Sequence, residues 1–139
     1  MKAEKEIKKL YKNRFSETEI QKKNIIWKVL CEFFFQKYIN KDSIVLDIGA
    51  GYCEFINNIN CKEKYAIDLS EDTPSFANPD IKVFNNSSTN LFFLSDNSID
   101  MVFMSNFLEH LKNKEEVVRT LSEVMRVLKV GGGDNDFTT

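Results

Sequence analysis

The pattern of apolar and polar residues predicts two helices at the start of the chain. Residues 2–15 suit an amphipathic helix, because their apolar residues recur at helical spacing among lysines and glutamates. Ser16 and Glu19 have the spacing of a capping box, so a second helix is predicted to start there and to run to about Tyr38. The residues that we expect this second helix to bury are Ile26, Val29, Leu30, Phe33 and Phe34.

After residue 40, short apolar stretches that suit strands alternate with segments that suit helices. Ser43 to Ile48 is β-branched and apolar, as expected of a strand buried on both faces of a parallel sheet. Asn113, followed three residues later by Glu116, predicts the cap of a last helix. The other predicted elements are a helix over Tyr52 to Ile59, strands over Lys64 to Leu69, Ile81 to Phe84 and Ile99 to Ser105, and a last-helix face of Val117, Leu121, Val124 and Leu128. This alternation predicts an α/β layered fold.

Glycine is scarce and concentrated in this sequence. The chain has five glycines, Gly49, Gly51 and Gly131 to Gly133. The first two follow the first predicted strand directly, at the turn where the ligands of open α/β sheets bind. Glycine there lets the backbone take conformations that other residues avoid and lets a ligand approach closely. The sequence therefore predicts a ligand site at residues 47–51.

Composition and charge are those of a globular domain, and they change this picture little. The first 28 residues hold nine Lys/Arg against four Asp/Glu, which raises the hypothesis of nucleic-acid binding. We favour a solvated helix face, because the lysines alternate with glutamates. The three cysteines form no C-x-x-C pair and there is one histidine, so we expect no structural zinc. The sequence lacks the features of a signal peptide or membrane span, and a cytoplasmic protein is expected.

The residues around the glycine turn favour a positively charged ligand over a dinucleotide. Glu54 stands where a dinucleotide fingerprint has its third glycine, and Asp47 precedes the first glycine by two residues. Two acids would repel a pyrophosphate, whereas the ammonium and sulfonium of S-adenosylmethionine suit them. Asp68 ends the second predicted strand, where a carboxylate can accept from both ribose hydroxyls, with Leu69 against the adenine. The alternative for Asp68 is a helix cap or turn residue. A nicotinamide dehydrogenase remains the least favoured hypothesis.

Five segments in order and spacing resemble the successive motifs of the type 11 class I methyltransferases, over roughly residues 25–133. They are Val45-Leu46-Asp47-Ile48-Gly49-Ala50-Gly51, Tyr65-Ala66-Ile67-Asp68-Leu69, Ser98-Ile99-Asp100-Met101-Val102-Phe103, Leu108-Glu109-His110-Leu111 and Glu123-Val124-Met125-Arg126-Val127-Leu128-Lys129-Val130-Gly131-Gly132. The resemblance implies a Rossmann-like sheet and S-adenosylmethionine as cofactor, with S-adenosylhomocysteine as product.

The resemblance also implies a role for each site residue. Asp47, Gly49, Ala50 and Gly51 would line the methionine moiety, Asp68 and Leu69 the ribose and adenine, Ser87 and Ser88 the adenine border, and Ser105 and Asn106 the methionine end and the acceptor. Members of the family often have an acid at the place of Ser87, so its absence predicts weaker cofactor binding. His110 is a candidate base, or alternatively a packing residue. The Asn/Asp-Pro-Pro-Tyr signature of adenine-N6 enzymes is missing, which argues against that substrate class.

The sequence departs from the family after the last predicted helix, where no further strand pattern follows. We therefore expect a truncated sheet, with N-terminal helices over residues 1–40, a cofactor-binding core over 41–133 and a tail over 134–139. The fourth strand would then be an unpaired apolar edge, which predicts a homodimer or higher oligomer. The expected function is methyl transfer to oxygen or nitrogen of a small molecule or glycan. The alternative is an inactive, self-associating module that binds S-adenosylmethionine or S-adenosylhomocysteine.

Overall fold

The computed structural model describes residues 18–19, 21–105 and 107–130. The predicted helix over 2–15, Asn106 and the tail from residue 131 lie outside the described residues. A helix that includes residues 18 and 19 and continues over 21–33, α1, leads into a 3-10 turn at Phe35–Tyr38. The elements that follow are β1 (Ile44–Ile48), α2 (Glu54–Asn58), β2 (Glu63–Ile67), α3 (Thr73–Phe76), β3 (Ile81–Phe84), β4 (Met101–Met104), a 3-10 turn (Leu108–His110) and α4 (Lys114–Val127).

The four strands form one parallel sheet in the order β3-β2-β1-β4. In the centre of the sheet, Leu46 of β1 pairs with Tyr65 of β2 on one side and with Val102 of β4 on the other. The chain turns back after β3 and places β4 on the far side of β1. The carboxyl end of β1 is therefore the point where strand order reverses, and ligands bind at such points in open α/β sheets. The predicted α/β, Rossmann-like fold is confirmed.

Each face of the sheet packs against its own helices, because side chains alternate along a strand. On one face, Val45 of β1 packs with Cys31 of α1 and with Phe55 and Ile56 of α2. On the other face, the buried cluster is Leu46, Ile48, Ile67, Leu91, Leu94, Ile99, Val124 and Val127. Leu46 and Ile48, on either side of Asp47 in β1, belong to this second cluster. The Asp47 carboxyl group therefore points to the opposite face, on the side of α1 and α2.

The predicted buried face of α1 is wrong. Ile26, Val29, Leu30, Phe33 and Phe34 are 38% to 67% exposed. The face that packs on the sheet instead carries Trp27 and Cys31, followed by Phe35 in the 3-10 turn. Trp27 stacks with Phe35 and meets the edge of Phe103 at a centroid distance of 5.9 Å. Because residues 25–35 are apolar on nearly all sides, their periodicity could not select the buried face; the aromatic partners on β4 and in the turn select it.

The cap predicted for the last helix is confirmed, and its face is partly wrong. The Asn113 side chain accepts a hydrogen bond from the Glu116 N–H at 2.9 Å. Val124 is buried as expected, whereas Leu121 is exposed and Thr120 takes its place on the buried side. A polar residue holds that position because it has a buried hydrogen-bond partner, described below. The short helix α3 was not predicted.

The edge beyond β4 is partly occupied. Ile99, just before β4, forms a parallel bridge with Leu128, just after α4. The Lys129 N–H donates to the Ile99 carbonyl at 2.9 Å. The chain leaving α4 thus begins to pair alongside β4, up to the last described residue at 130. The expected oligomer stays a prediction.

Among the described helices, none combines the length and apolar character that a membrane crossing requires.

Candidate functional site

The turn after β1 has three left-handed residues at alternate positions. Gly49, Gly51 and Cys53 have φ angles of +74°, +55° and +61°. The Gly49 and Ala50 N–H groups both donate to the Ile67 carbonyl at the end of β2, at 2.8 and 3.1 Å. Sequence reasoning found the two glycines and missed Cys53, since a left-handed cysteine has no sequence signal. The turn is held by its own backbone and by the neighbouring strand.

Asp68 joins the end of β2 to this turn. Its Oδ2 accepts from the Gly51 N–H at 2.8 Å, and its Oδ1 accepts from the Ser70 N–H at 2.8 Å. The second bond is typical of a turn residue, which was the alternative role for Asp68 in the sequence analysis. Each carboxylate oxygen has a further lone pair, so these bonds leave room to accept hydroxyl donors from a ligand.

Two cavities meet at Gly49, which lines both. The larger, about 600 Å³, is lined by Gly49, Ile67, Asp68, Leu69, Asn86, Ser87, Ser88, Phe107, His110, Leu111, Lys112 and Glu116. The smaller, about 270 Å³, is lined by Lys23, Trp27, Asp47, Gly49, Ala50, Gly51, Tyr52, Glu54, Phe55, Phe103 and Ser105. Every site residue expected from the sequence lines one of the two, except Asn106, which lies outside the described residues. The residues expected at the adenosine and those expected at the methionine end fall in different cavities, apart from Gly49, which lines both.

Negative charge is concentrated at the smaller cavity. Asp47 is 3% exposed, and it lines this cavity together with Glu54. Burial raises the pKa of Asp47 well above its ordinary value, and Asp68 and Glu54 raise it further. Burial also raises the pKa of Glu54, while Lys23 lowers it. A cationic group brought to this cavity would relieve both acids.

The segment between β3 and β4, residues 85–100, contributes Asn86, Ser87 and Ser88 to the lining of the larger cavity. The Ser87 hydroxyl bonds to the Thr89 hydroxyl at 2.8 Å. Ser88 is buried and its hydroxyl bonds to that of Thr120, in α4, at 2.7 Å. Ser88 therefore fixes this segment to α4 as well as lining the cavity, and this accounts for the polar residue on the buried face of α4.

Two charged residues of α4 hold the rest of that segment. Glu123 accepts from the Leu91 N–H at 2.6 Å. Arg126 donates to Glu123 at 2.9 Å, to the Leu94 and Leu91 carbonyls at 2.9 and 2.8 Å, and to Asp96 at 2.7 Å. The hydrogen bond from Arg126 lowers the pKa of Glu123. A segment without a helix or strand is thus fixed by side chains about 30 residues away in the sequence.

Phe107 and His110 follow β4 on the same side of the larger cavity. The Phe107 ring lies so close to Gly49 that a Cβ there would be 2.5 Å from its Cδ1. The His110 side chain is 73% exposed, and its Nε2 is 3.8 Å from Glu109 Oε1. Sequence reasoning missed Phe107, whose contact depends on the path of the chain after β4. His110 does not pack into the core, so the packing alternative is not supported.

The family model of the type 11 methyltransferase domain matches residues 46–133, more than half of the chain. The chain belongs to this family. The match starts in β1 and extends past α4. It includes every lining residue of the two cavities except Lys23 and Trp27, which lie in α1. No curated protein matches the sequence.

Solved methyltransferases share the fold. A SAM-dependent methyltransferase of Archaeoglobus fulgidus is 26% identical with a TM-score of 0.61, over 77% of this chain and 48% of that one. A SAM-dependent methyltransferase of Thermotoga maritima is 25% identical with a TM-score of 0.60, over 88% and 56%. Phosphoethanolamine N-methyltransferase 1 of Haemonchus contortus, solved with phosphoethanolamine and S-adenosylhomocysteine, is 19% identical with a TM-score of 0.64, over 78% and 24%. This methyltransferase domain thus spans about half the length of the first two.

Proposed function

We propose that the chain binds S-adenosylmethionine across the two cavities and transfers its methyl group to oxygen or nitrogen of a small molecule or glycan. The adenosine would occupy the larger cavity, with Asp68 at the ribose and Leu69 and Ser87 at the adenine. The methionine end would occupy the smaller cavity, beside Asp47 and Gly51. The observation that carries the proposal is the meeting of these two chemically different cavities at a left-handed glycine.

The hydrogen bonds of the turn argue against a dinucleotide. A pyrophosphate needs free N–H groups at a glycine turn. Here the Gly49, Ala50 and Gly51 N–H groups already donate to Ile67 and Asp68. The acidic side chains add repulsion for any phosphate. A ligand that offers cations and hydroxyl donors suits the turn better.

The chemistry requires positioning more than acid–base catalysis. S-adenosylmethionine supplies an activated methyl group, so the protein mainly aligns the acceptor and excludes water. Asp68 would fix the ribose, and Ser105, in the smaller cavity, would border the acceptor. His110 lines the larger cavity and is the candidate to take a proton from the acceptor. Its exposed imidazole can exchange that proton with solvent.

Isothermal titration calorimetry with S-adenosylmethionine and S-adenosylhomocysteine tests cofactor binding. Asp68→Asn should weaken binding of both about tenfold or more, because it loses a charged acceptor of hydrogen bonds. Asp80→Asn, an exposed carboxylate outside both cavities, is the matched control and should bind normally. If the wild-type protein binds neither ligand, the proposal is wrong.

Transfer of a labelled methyl group to panels of sugars and small metabolites tests the second part of the proposal, methyl transfer to a small molecule or glycan. Product with a sugar or small metabolite would support the proposed acceptor class. Binding without transfer to any acceptor would instead favour the cofactor-binding module as the function of this chain.

A further inference from the structure

The smaller cavity contains one feature that the family motifs do not include: a lysine from the N-terminal helix. Lys23 lies in α1, before the residues matched by the family model, and lines the cavity with Asp47 and Glu54. Lys23 is the only cationic side chain among the described residues that line it. The cavity therefore presents both signs of charge.

Trp27 determines where Lys23 lies. The two residues are four apart in α1 and so share one face of the helix. Trp27 is wedged between Phe35 and Phe103, with centroid distances of 6.1 and 5.9 Å. This aromatic contact fixes the rotation of α1 and places Lys23 in the lining of the cavity. Its ammonium lies within electrostatic range of Glu54, yet the two form no ion pair within 4.0 Å.

Among the described residues that line this cavity, Lys23 alone could offer a cationic donor to the α-carboxylate of an amino acid. As described above, the N–H groups of Gly49, Ala50 and Gly51 are occupied, and the Cys53 N–H donates to the Ala50 carbonyl at 2.8 Å. Asp47 and Glu54 suit the α-ammonium and would repel the carboxylate. Ser105 and Tyr52 add neutral hydroxyls. A cationic donor is the missing complement, and Lys23 supplies it.

We propose that Lys23 binds the α-carboxylate of the methionine moiety, opposite the acids that attract its ammonium. This inference rests on the proposed function and deepens it. It makes α1 part of the cofactor site, in addition to its packing on the sheet. Lys23 would also set specificity, because it distinguishes an amino-acid ligand from one that has lost its carboxylate.

The experiment compares S-adenosylmethionine with decarboxylated S-adenosylmethionine, which keeps the ammonium and the sulfonium and lacks only the carboxylate. Binding of both is measured by calorimetry in the wild type and in Lys23→Gln. Lys23→Gln should bind S-adenosylmethionine about tenfold more weakly, as expected for the loss of one charge-assisted hydrogen bond. Its affinity for the decarboxylated ligand should not change. Lys23→Arg should restore most of the affinity.

Lys22→Gln is the matched control, since Lys22 is an exposed neighbour in the same helix and lies outside the cavity. It should bind both ligands as the wild type does. Lys23 is itself exposed, so the melting temperature of Lys23→Gln should equal that of the wild type. Equal losses for both ligands, or no loss for either, would overturn the role of Lys23 and leave the proposed function standing. A wild-type protein that binds neither ligand would overturn both proposals.

Discussion

The two ends of the candidate site are built in different ways. At the glycine turn, residues 49–53 are fixed by local backbone hydrogen bonds and by the adjacent strand β2. At the larger cavity, the segment between β3 and β4, which lines the cavity at residues 86–88, is fixed by Thr120, Glu123 and Arg126 of α4. The first end is specified by a few neighbouring residues, and the second by contacts between distant parts of the chain.

This difference predicts different responses to substitution. A change at the turn strains the backbone itself and should affect folding and binding together. A change in α4 should release the segment between β3 and β4, while the turn keeps its hydrogen bonds. Substitutions at the two ends therefore measure how far the ends depend on each other.

The largest effect is expected for Gly49→Ala. A left-handed alanine costs about 1–2 kcal/mol, and its Cβ would also be 2.5 Å from the Phe107 ring. We expect a loss of more than about 2 kcal/mol in the free energy of unfolding, and loss of cofactor binding. Urea denaturation and calorimetry measure the two effects.

Gly51→Ala is the matched control, because Gly51 is also left-handed and a Cβ there meets nothing within 4 Å. It should cost about 1 kcal/mol, from backbone strain alone. Adding Phe107→Ala to Gly49→Ala should remove the steric part of the loss. Equal costs for the two glycines would contradict the role of Phe107.

The next effect is expected for Arg126→Met. It removes the hydrogen bonds from Arg126 to Glu123 and to three residues of the segment after β3, Leu91, Leu94 and Asp96. It should cost about 2–3 kcal/mol of stability, as measured by urea denaturation, because the groups left behind lose charged hydrogen bonds. Arg119→Met, which breaks an exposed pair with Glu115, should change stability by less than about 0.5 kcal/mol.

Because Arg126 pairs with Glu123, its contribution to the free energy of unfolding also depends on pH. The pKa of Glu123 is lowered in the folded state, so its stabilisation is present above its unfolded pKa and is lost as pH falls through the folded value. The stability difference between wild type and Arg126→Met should narrow in acid. A constant difference from neutral to acidic pH would argue against this ion pair.

A smaller effect on stability is expected for Asp47→Asn, and it should be a gain rather than a loss. The pKa of Asp47 is raised in the folded state, so the wild type loses stability as pH rises from the unfolded pKa to the folded one. Asparagine avoids this loss, and the variant should be more stable by about 1 kcal/mol at neutral pH. It should nevertheless bind S-adenosylmethionine more weakly. Thermal unfolding across a pH series and calorimetry check both parts, and a less stable variant at neutral pH would contradict this account.

The smallest effect is expected for Ser87→Asp, which introduces the acid that the family resemblance leads us to expect at this place. A charged acceptor at the adenine border should tighten binding about fivefold, and adenosine alone should show the same gain in calorimetry. Ser95→Asp, on an exposed position of the same segment, is the control of equal charge and should have no effect. A gain for S-adenosylmethionine without a gain for adenosine would mean that Ser87 does not border the adenine.

The difference between a turn specified by neighbouring residues and a segment fixed by distant contacts also explains which features could be predicted from the sequence. β1 and the glycine turn were readable because local residue types determine them. The buried face of α1 was predicted wrongly, since it depends on the contact of Trp27 with Phe103 in β4. Lys23 and Phe107 were missed for a related reason: each reaches the site through the tertiary path of its segment, and neither belongs to a motif. Leu121 was assigned to the buried face because apolar spacing cannot reveal a hydrogen bond such as that between Thr120 and Ser88.

The left-handed Cys53 gives the site a built-in chemical reporter. Its thiol is fully buried, and burial, with the nearby Asp47, Asp68 and Glu54, raises its pKa to about 12. Since the thiolate is the reactive form, an alkylating reagent can modify Cys53 only after the turn opens. The rate of modification therefore measures the opening equilibrium of the turn itself. A ligand that closes around residues 49–53 should slow this reaction in proportion to its occupancy, which gives a binding assay that requires no methyl acceptor.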